Sequence, residues 1–454
     1  MSKTSAHKYF QDKKITLMGL GLLGRGVGDA IFLAECGADL LVTDMKTKED
    51  LAESLHKLSK YKNITYVLGE HRLEDFENRD MIIKAAGVSL DSLFIEHARF
   101  NNVPVMMDEA LFVQTAEAMN LDLTIVGVTG TRGKTTTSYM IYDILKKAKK
   151  HVHLAGNIRG VATLPFLNVV KKHDIVVLEL SSWQLQGFSE IATSPHIGVF
   201  TNFYDDHLNY YQGMRDRYYF DKSVIYRYQD AEDFLIVGDQ VKDMVESDIH
   251  DIDSTVITTR TSDIDRDWKI NLPGEHMLEN VSCALAVMRI LDIDDKVSKK
   301  AIETFHGVEG RLQFVNNVRG IEVFNDNNAT TPEATIFALE SLGDVTHDHK
   351  NVILIAGGAD KKLALGKLTN AMEHFAKEII LLEGDGTQRL VTKLDELEVP
   401  YKVVVSLSDA VEEAFKKGEE GDTILFSPAF SSFNMYKNEY ERNDEFLDLI
   451  QRYE

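Results

Sequence analysis

Short apolar runs alternate with segments of helical periodicity along the whole chain. In the first stretch the apolar runs lie at 15–19, 38–43, 64–68, 80–84 and 103–105. Because alternating strands and helices form parallel sheets with helices on both faces, this alternation predicts a doubly wound α/β unit. We expect this unit to close near residue 117.

A second unit repeats the alternation. Its apolar, β-branched runs at 123–128, 175–180 and 197–201 are typical of strands that are buried on both faces. A polar region with weak strand signals spans about 233–273. A helix is predicted from Glu279 to about Ile290.

The third unit begins near Arg311 and ends in a helix that is predicted from about Phe433 to the end of the chain. Its strands are predicted at 321–324, 352–356, 378–382, 402–405 and 423–426. The predicted fold class is therefore α/β with three domains, at residues 1–117, 118–309 and 310–454.

Composition narrows the classes of function. The 454 residues carry a formal net charge of -22, which disfavours nucleic acid because phosphate backbones are bound mainly by Lys and Arg. The two cysteines, Cys36 and Cys283, indicate a reducing compartment. No apolar run approaches the ~20 residues that span a bilayer. We expect a cytoplasmic monomer that binds neither nucleic acid nor membrane.

A phosphate-binding loop is predicted between a buried strand and a helix. Backbone N–H groups of such a turn point at phosphate oxygens, and the helix dipole favours negative charge. Lys134 would neutralise the β and γ phosphates, and the Thr135 hydroxyl would ligate Mg²⁺. Val128 stands where the usual spacing has glycine, so the loop is a variant. Its candidate residues are Gly130, Thr131, Arg132, Gly133, Lys134, Thr135 and Thr136.

A second glycine-rich turn follows the first strand and reads Gly19-Leu20-Gly21-Leu22, with Gly24 closing it and Asp44 ending the next strand. This is the dinucleotide fingerprint, and it predicts a phosphorylated ligand at the carboxyl edge of the sheet. The fingerprint does not identify the ligand, and a purely structural turn stays open.

Three further residues are candidates for acid–base or metal chemistry. Glu179 interrupts an apolar run at the end of a predicted central strand, where a carboxylate must be paired, hydrogen-bonded or bound to a metal such as Mg²⁺. His207 follows Asp206 just after another strand. Lys222 lies on a predicted helix, where a lysine is usually a solvated side chain.

Together these segments resemble the Mur ligase family over essentially the whole chain. The resemblance rests on the loop at 130–136, the segment 179–182, the segment 201–207 that ends in His207, the pair Asp221 and Lys222, and Asn280. The turn at 19–21, the run at 179–185 and the segment 427–438 are similar to family members that join glutamate to UDP-N-acetylmuramoyl-L-alanine.

The resemblance implies a task for each domain. A Rossmann-like first domain would bind the UDP precursor, a central P-loop domain would bind ATP and Mg²⁺, and a Rossmann-like third domain would bind the amino acid. The implied enzyme is an ATP-dependent ligase of peptidoglycan precursor synthesis. It would form an acyl phosphate and release ADP and phosphate.

The resemblance also implies residue roles. Catalysis would involve Lys134, Glu179, His207 and Lys222. Two magnesium ions would be held by Thr135, Glu179, His207 and Lys222, with carbamylation of Lys222 left open. ATP would further meet Asn280, Arg311 and Asp326. The precursor would meet Gly19, Leu20, Gly21, Leu22, Asp44, Asn157 and Ser182. The amino acid would meet Thr330, Lys361, Ser432 and Phe433.

The sequence departs from the family pattern at several positions. Arg132 stands where Asn is usual, Arg159 where glycine is usual, and Met277 where Asn is usual. Asn328 replaces a lysine near the amino-acid carboxylate, which leaves open whether the acceptor is D-glutamate, L-glutamate or another amino acid. The other hypotheses are a folylpolyglutamate-type or poly-γ-glutamate ligase, an oxidoreductase with an accessory NTPase domain, and a binding protein without catalysis.

Overall fold

The computed structural model describes residues 5–22, 24–206, 210–248, 252–265, 267–270, 274–343, 350–433 and 435–453, apart from the side chains of residues 275 and 276. The chain divides into two compact units. The first contains 1–268 and 279–302, and the second contains 269–278 and 303–454. The domain boundaries at 117 and 309 remain predictions.

The first unit opens with a five-stranded parallel sheet of order β3-β2-β1-β4-β5. Its strands are β1 (Lys14–Met18), β2 (Asp39–Asp44), β3 (Ile64–Leu68), β4 (Met81–Lys84) and β5 (Val105–Met106). Its helices are α1 (Ser5–Phe10), α2 (Arg25–Glu35), α3 (Ala52–Leu58), α4 (Leu93–Phe100) and α5 (Asp108–Ala118). The order reverses between β1 and β4, and such a reversal opens a ligand crevice at the carboxyl ends of the strands.

The second sheet of this unit has six parallel strands in the order β11-β10-β9-β6-β8-β7. The strands are β6 (Thr124–Thr129), β7 (Val152–Gly156), β8 (Ile175–Glu179), β9 (Ile197–Phe200), β10 (Phe234–Gly238) and β11 (Thr255–Thr259). Its helices are α6 (Lys134–Lys147), α7 (Ser182–Glu190), α8 (Arg215–Ser223) and α9 (Lys242–Ser247). The weak signals at 233–273 correspond to β10 and β11, whereas β7 was not predicted.

The second compact unit holds a six-stranded sheet of order β12-β13-β17-β14-β15-β16. The strands are β12 (Gln313–Val318), β13 (Ile321–Asn325), β14 (Val352–Ala356), β15 (Ala376–Leu382), β16 (Lys402–Val404) and β17 (Thr423–Phe426). Helices α10 (Glu275–Ile290) and α11 (Asp295–Glu303) precede it in the chain. Its helices are α12 (Pro332–Leu342), α13 (Gly366–Phe375), α14 (Asp385–Glu396), α15 (Leu407–Lys417) and α16 (Glu439–Gln451). Only β12 runs antiparallel to its neighbour among these described strands.

The predicted start of the last helix at Phe433 is wrong. Helix α16 begins at Glu439, because the Asn438 side chain caps it by accepting the backbone N–H groups of Tyr440 and Glu441. The predicted α/β class with largely parallel sheets is confirmed. No described helix is both long and apolar enough to cross a membrane.

A buried cluster of charges ties α2 to α5. The guanidinium of Arg25 contacts the carboxylates of Asp108, at 3.3 Å, and Glu109. Burial raises the pKa of Glu109 and of nearby Asp29 well above the usual range. One carboxylate oxygen of each of these two residues is buried without a hydrogen-bond partner. The cluster therefore depends on Arg25, the cation that contacts both Asp108 and Glu109.

We predict that Arg25→Met lowers the free energy of unfolding by about 3 kcal/mol, because removing one partner of a buried pair leaves the others uncompensated and the Arg25 side chain is only 20% exposed. Urea unfolding followed by circular dichroism measures the change. Lys57→Met is the matched control, since it removes an exposed i,i+4 pair with Glu53 that is worth about 0.5 kcal/mol or less. Equal effects of both substitutions would contradict a buried, cation-dependent cluster.

Candidate active site

The predicted phosphate-binding loop joins β6 to α6 in a left-handed turn. Gly133 is the N-cap of α6 with φ 79°, a conformation that favours glycine. A Cβ atom on Gly133 would lie 2.2 Å from the Asn280 side-chain oxygen. Glycine is therefore required here for two reasons: the backbone has a positive φ angle, and the Asn280 side chain leaves no room for a Cβ atom. Asn280 is buried and accepts a hydrogen bond from the Thr137 hydroxyl at 3.3 Å.

The end of β9 holds the loop from one side. The Thr201 hydroxyl donates to the Arg132 carbonyl at 2.6 Å, and the Arg132 N–H donates to the Asn202 side chain at 2.8 Å. The Thr131 N–H donates to the Asn202 carbonyl at 3.0 Å. The backbone of Arg132 is therefore fixed. Thr201 and Asn202 carry a positioning role that the sequence did not assign to them individually.

Two lysines converge on one carbonyl oxygen of the loop. The Lys134 ammonium donates to the Gly130 carbonyl at 2.9 Å, and the Lys222 ammonium donates to the same oxygen at 2.6 Å. Lys222 is 1% exposed and lies 4.8 Å from the centre of the Tyr218 ring. Burial, and secondly the charge of Lys134, hold the pKa of Lys222 well below its usual range. Lys222 is thus not the solvated lysine that its helical position alone would suggest.

Glu179 supplies the opposite charge. It ends β8 beside Val128 of β6 and Gly156 of β7, and it is 1% exposed. One carboxylate oxygen accepts the Asn157 side-chain amide at 3.0 Å, whereas the other is buried without a hydrogen-bond partner. The buried Thr129 hydroxyl also has no partner. Unpartnered hard oxygen atoms at this position fit a magnesium ion.

The remaining predicted residues of this sheet edge lie around the loop. Thr135 is half-buried in the first turn of α6, and Thr136 beside it is buried. Ser182 is buried at the start of α7, directly after Ser181 caps that helix. His207 lies outside the described residues. Among the described residues, no group of three or more His, Cys, Asp or Glu side chains forms a metal cluster.

The glycine turn after β1 lines a cavity of about 240 Å³ at the reversal of the first sheet. The positive φ angles of Gly19, Gly21 and Gly24 form the turn. Asp44 ends β2 as predicted, and its carboxylate accepts the Gly21 N–H at 3.0 Å. The cavity is lined by Gly19, Leu20, Gly21 and Leu22 among others.

In the second compact unit, two of the residues that are predicted to bind the amino acid contact each other. The Lys361 ammonium donates to the Thr330 hydroxyl at 2.8 Å. Ser432 is buried with a hydroxyl that has no hydrogen-bond partner, and Phe433 is 69% exposed. Asn328, at the position of the family lysine, accepts the side-chain amide of Asn327 at 3.2 Å.

Asp326 directly follows β13, and its carboxylate accepts the Leu312 N–H at 3.0 Å and the Ser427 hydroxyl at 2.9 Å. Burial raises its pKa to about 7, against the lowering effect of these bonds and of the nearby Arg311 charge. Arg311 itself is exposed. The carboxylate therefore changes charge near neutral pH.

Comparisons with known proteins match this architecture. Residues 128–263 match the model of the Mur ligase middle domain, and residues 310–430 match that of the Mur ligase glutamate ligase domain. The chain is 34% identical to a UDP-N-acetylmuramoylalanine--D-glutamate ligase of Borreliella burgdorferi, over 96% of each chain. It is 31% identical to one of Roseiflexus, over 97% of this chain and 99% of the relative. The chain belongs to the Mur ligase family.

Solved structures show the Mur ligase fold. The UDP-N-acetylmuramate-alanine ligase MurC of Thermotoga maritima superposes with a TM-score of 0.62 at 21% identity, covering 97% of this chain and 100% of that one. The MurF ligase of Thermotoga maritima in complex with ADP gives 0.55 at 16% identity, covering 91% and 94%. Membership of the Mur ligase family confirms an ATP-dependent, ADP-forming ligase and excludes the oxidoreductase hypothesis.

Two residues that contact the candidate active site of this Mur ligase are not among those predicted from the sequence. Tyr218 lies under the Lys222 ammonium, and its hydroxyl is 3.3 Å from the Thr131 hydroxyl. Its i,i+4 spacing from Lys222 on one helix is the signal that could have identified it. Gln184 donates to the Asn157 side chain at 3.4 Å and completes the cap of α7.

We predict that Asp326→Asn changes how stability depends on pH. The pKa of Asp326 is about 7 in the folded protein and 3.8 in its ordinary state, so the protonated carboxyl favours the folded state. This stabilisation is fully present below pH 3.8 and is lost as the pH rises through about 7. The variant should therefore gain stability relative to the parent between pH 4 and pH 7 and run parallel to it above. Thermal unfolding at several pH values measures this. Asp448→Asn, an exposed position on α16, is the control and should show no such divergence.

Proposed function

We propose that this Mur ligase joins glutamate, as the D enantiomer, to UDP-N-acetylmuramoyl-L-alanine in peptidoglycan precursor synthesis. Relatives of this name are 31 to 34% identical over nearly the full chain, which supports the substrate assignment. The match of 310–430 to a glutamate ligase domain supports glutamate as the acceptor. L-glutamate or another amino acid is the alternative, because Asn328 removes a cation from the expected amino-acid site.

The observation that carries this proposal is the concentration of opposite charge at one sheet edge. Lys134 and Lys222 both donate to the Gly130 carbonyl, and the partly unsatisfied Glu179 carboxylate interacts electrostatically with Lys222. Cations at a helix N-terminus favour a polyphosphate. A buried carboxylate beside them suits the metal that accompanies ATP.

The chemistry follows from the weakness of a carboxylate as an electrophile. The carboxylate oxygen of the precursor attacks the γ-phosphorus of ATP, the bond to ADP breaks, and an acyl phosphate forms. The amino group of glutamate then attacks the acyl carbon, phosphate leaves, and the nitrogen loses a proton. Lys134 would exchange its two loop carbonyls, Gly130 and Thr131, for phosphate oxygens during the first step.

We propose that Glu179, Thr135 and His207 hold Mg²⁺, which neutralises phosphate charge when it is bound. Lys222 would support a second ion as a carbamate. A lysine amine reacts with CO₂ only when it is unprotonated, and the lowered pKa of Lys222 supplies that form. The unpartnered Glu179 oxygen supports the first assignment.

We propose separate binding sites for the two substrates that are joined. The diphosphate and uridine of the precursor would bind at the cavity of the glycine turn, with Asp44 at the uridine. Glutamate would bind at Thr330, Lys361, Ser432 and Phe433, where the Lys361 ammonium offers a cation for a carboxylate. A cytoplasmic location is supported by two buried cysteines that are free of disulfides.

We predict that the purified protein releases ADP from ATP only when UDP-N-acetylmuramoyl-L-alanine and glutamate are both present. Mass spectrometry of the product, with D- and L-glutamate supplied in separate reactions, should show the added residue only with the D enantiomer. If product forms only with L-glutamate, then L-glutamate and not D-glutamate is the acceptor. ADP release that is independent of the precursor would overturn the assignment.

We predict that Lys134→Met reduces kcat by about 10²- to 10³-fold, because removing a single preorganised transition-state donor commonly costs that much. The affinity for the precursor should change little, since the glycine turn belongs to another sheet. Lys146→Met, at the other end of α6, serves as the control. A near-parental kcat of the Lys134→Met variant would show that Lys134 does not contribute to catalysis.

A further inference from the structure

A half-buried carboxylate next to Lys222 has no role in the chemistry described above. Asp221 lies on α8, and a single oxygen of its carboxylate accepts two hydrogen bonds. The Gln186 side-chain amide donates to Oδ2 at 2.7 Å, and the Tyr211 hydroxyl donates to the same atom at 2.9 Å. Burial raises the pKa of Asp221 in spite of these donors. The placement of this carboxylate is therefore costly and requires an explanation.

The two donors tie α8 to the segment that follows Glu179. Gln186 lies on α7, which begins three residues after Glu179 ends β8. The hydroxyl of Tyr211 also shares a hydrogen bond with the side chain of Ser182, the first residue of α7. Asp221 therefore links α8 to α7, the helix that Ser181 caps shortly after Glu179 ends β8.

A second chain of contacts leads from Asp221 to the Lys222 ammonium through aromatic rings. The Tyr211 ring packs on the Tyr218 ring with centroids 5.1 Å apart. The Tyr218 ring lies under the Lys222 ammonium at 4.8 Å. Tyr218 in turn meets the phosphate-binding loop through the Thr131 hydroxyl. Asp221 thus reaches Lys222 both along α8 and through these two rings.

We propose that Asp221 is a positioning residue that holds Lys222 against the Gly130 carbonyl and at a set distance from Glu179. Without the carboxylate, Tyr211 loses the acceptor that orients its ring, and α8 loses its two bonds toward α7. Lys222 would then leave the buried position in which its ammonium meets the loop. The inference depends on the proposed function only for its turnover measurement.

The direct test measures the accessibility of the Lys222 amine. Asp221→Ala should increase acetylation of Lys222 by acetic anhydride about tenfold, scored by mass spectrometry against the exposed Lys60 as internal reference. A tenfold change corresponds to about 1.4 kcal/mol. Asp221→Asn should stay near the parental value, because its amide oxygen can accept both donors. Asp216→Ala, an exposed aspartate on the same helix, should also stay near it.

A turnover measurement separates this inference from the function. With the natural substrates, Asp221→Ala should require more bicarbonate and more Mg²⁺ than the parent for half-maximal rate, whereas its KM for glutamate should change little. If the parent protein shows no ligation but Lys222 becomes reactive in the variant, the function falls and the positioning role stands. If ligation occurs but labelling and bicarbonate dependence match the parent, the positioning role falls.

A folding control keeps the outcome decisive. Thermal unfolding by circular dichroism verifies that Asp221→Ala is folded at the labelling temperature. If it is not, Tyr211→Phe removes only one of the two donors and should raise Lys222 labelling by a smaller factor. Unchanged labelling in a folded Tyr211→Phe variant would then overturn the proposal.

Discussion

The candidate active site depends on one carbonyl oxygen that is shared by two ammonium groups. Gly130 accepts from both Lys134 and Lys222, and the second of these lysines is wholly buried. Like charges at such separation repel, and burial withdraws the water that would screen them. The arrangement is relieved in two ways, by the loss of a proton from Lys222 or by the arrival of an anion. Both fit the proposed binding of a triphosphate and the proposed carbamate at Lys222.

The parallel sheet makes this convergence possible. In the order β9-β6-β8-β7, the phosphate-binding loop follows β6, Glu179 ends β8, and Asn157 follows β7. Parallel strands bring all their carboxyl ends to one edge, so residues that lie far apart in the chain meet there without long loops. The Thr201 and Asn202 side chains after β9 then fix the loop backbone. The close approach of Gly156 to the Glu179 backbone, where a Cβ would lie 2.2 Å from the Glu179 carbonyl oxygen, shows how tightly this edge is packed.

The sequence predicts the parts of this structure that rest on local pattern. Apolar β-branched runs locate the central strands within a residue or two, and glycine spacing locates both turns. Strand β7 is not predicted, because its sequence Val-His-Leu-Ala-Gly has two half-buried positions side by side. Neither an alternating pattern nor a high strand propensity marks it. The last helix was placed too early because its limit is set by the Asn438 cap rather than by hydrophobicity. The i,i+4 spacing of Tyr218 and Lys222 is a local signal. The contacts of Asp221 with Gln186 and Tyr211 are beyond local pattern, because the fold brings these residues together.

The two glycine turns of this Mur ligase show why a shared motif does not fix a shared ligand. In the first turn, one oxygen of the Asp44 carboxylate accepts the Gly21 N–H, so this carboxylate also holds the shape of the turn. In the second turn, the constrained backbone atom is a carbonyl, and lysine side chains rather than amides surround it. The first turn lines a cavity in which the cations Arg25 and Lys84 accompany the carboxylates Asp29 and Asp108, whereas two lysines donate to one carbonyl of the second turn. A nucleotide sugar suits the first, because its uridine and sugar can contribute contacts besides the diphosphate. A triphosphate, whose recognition is mostly electrostatic, suits the second.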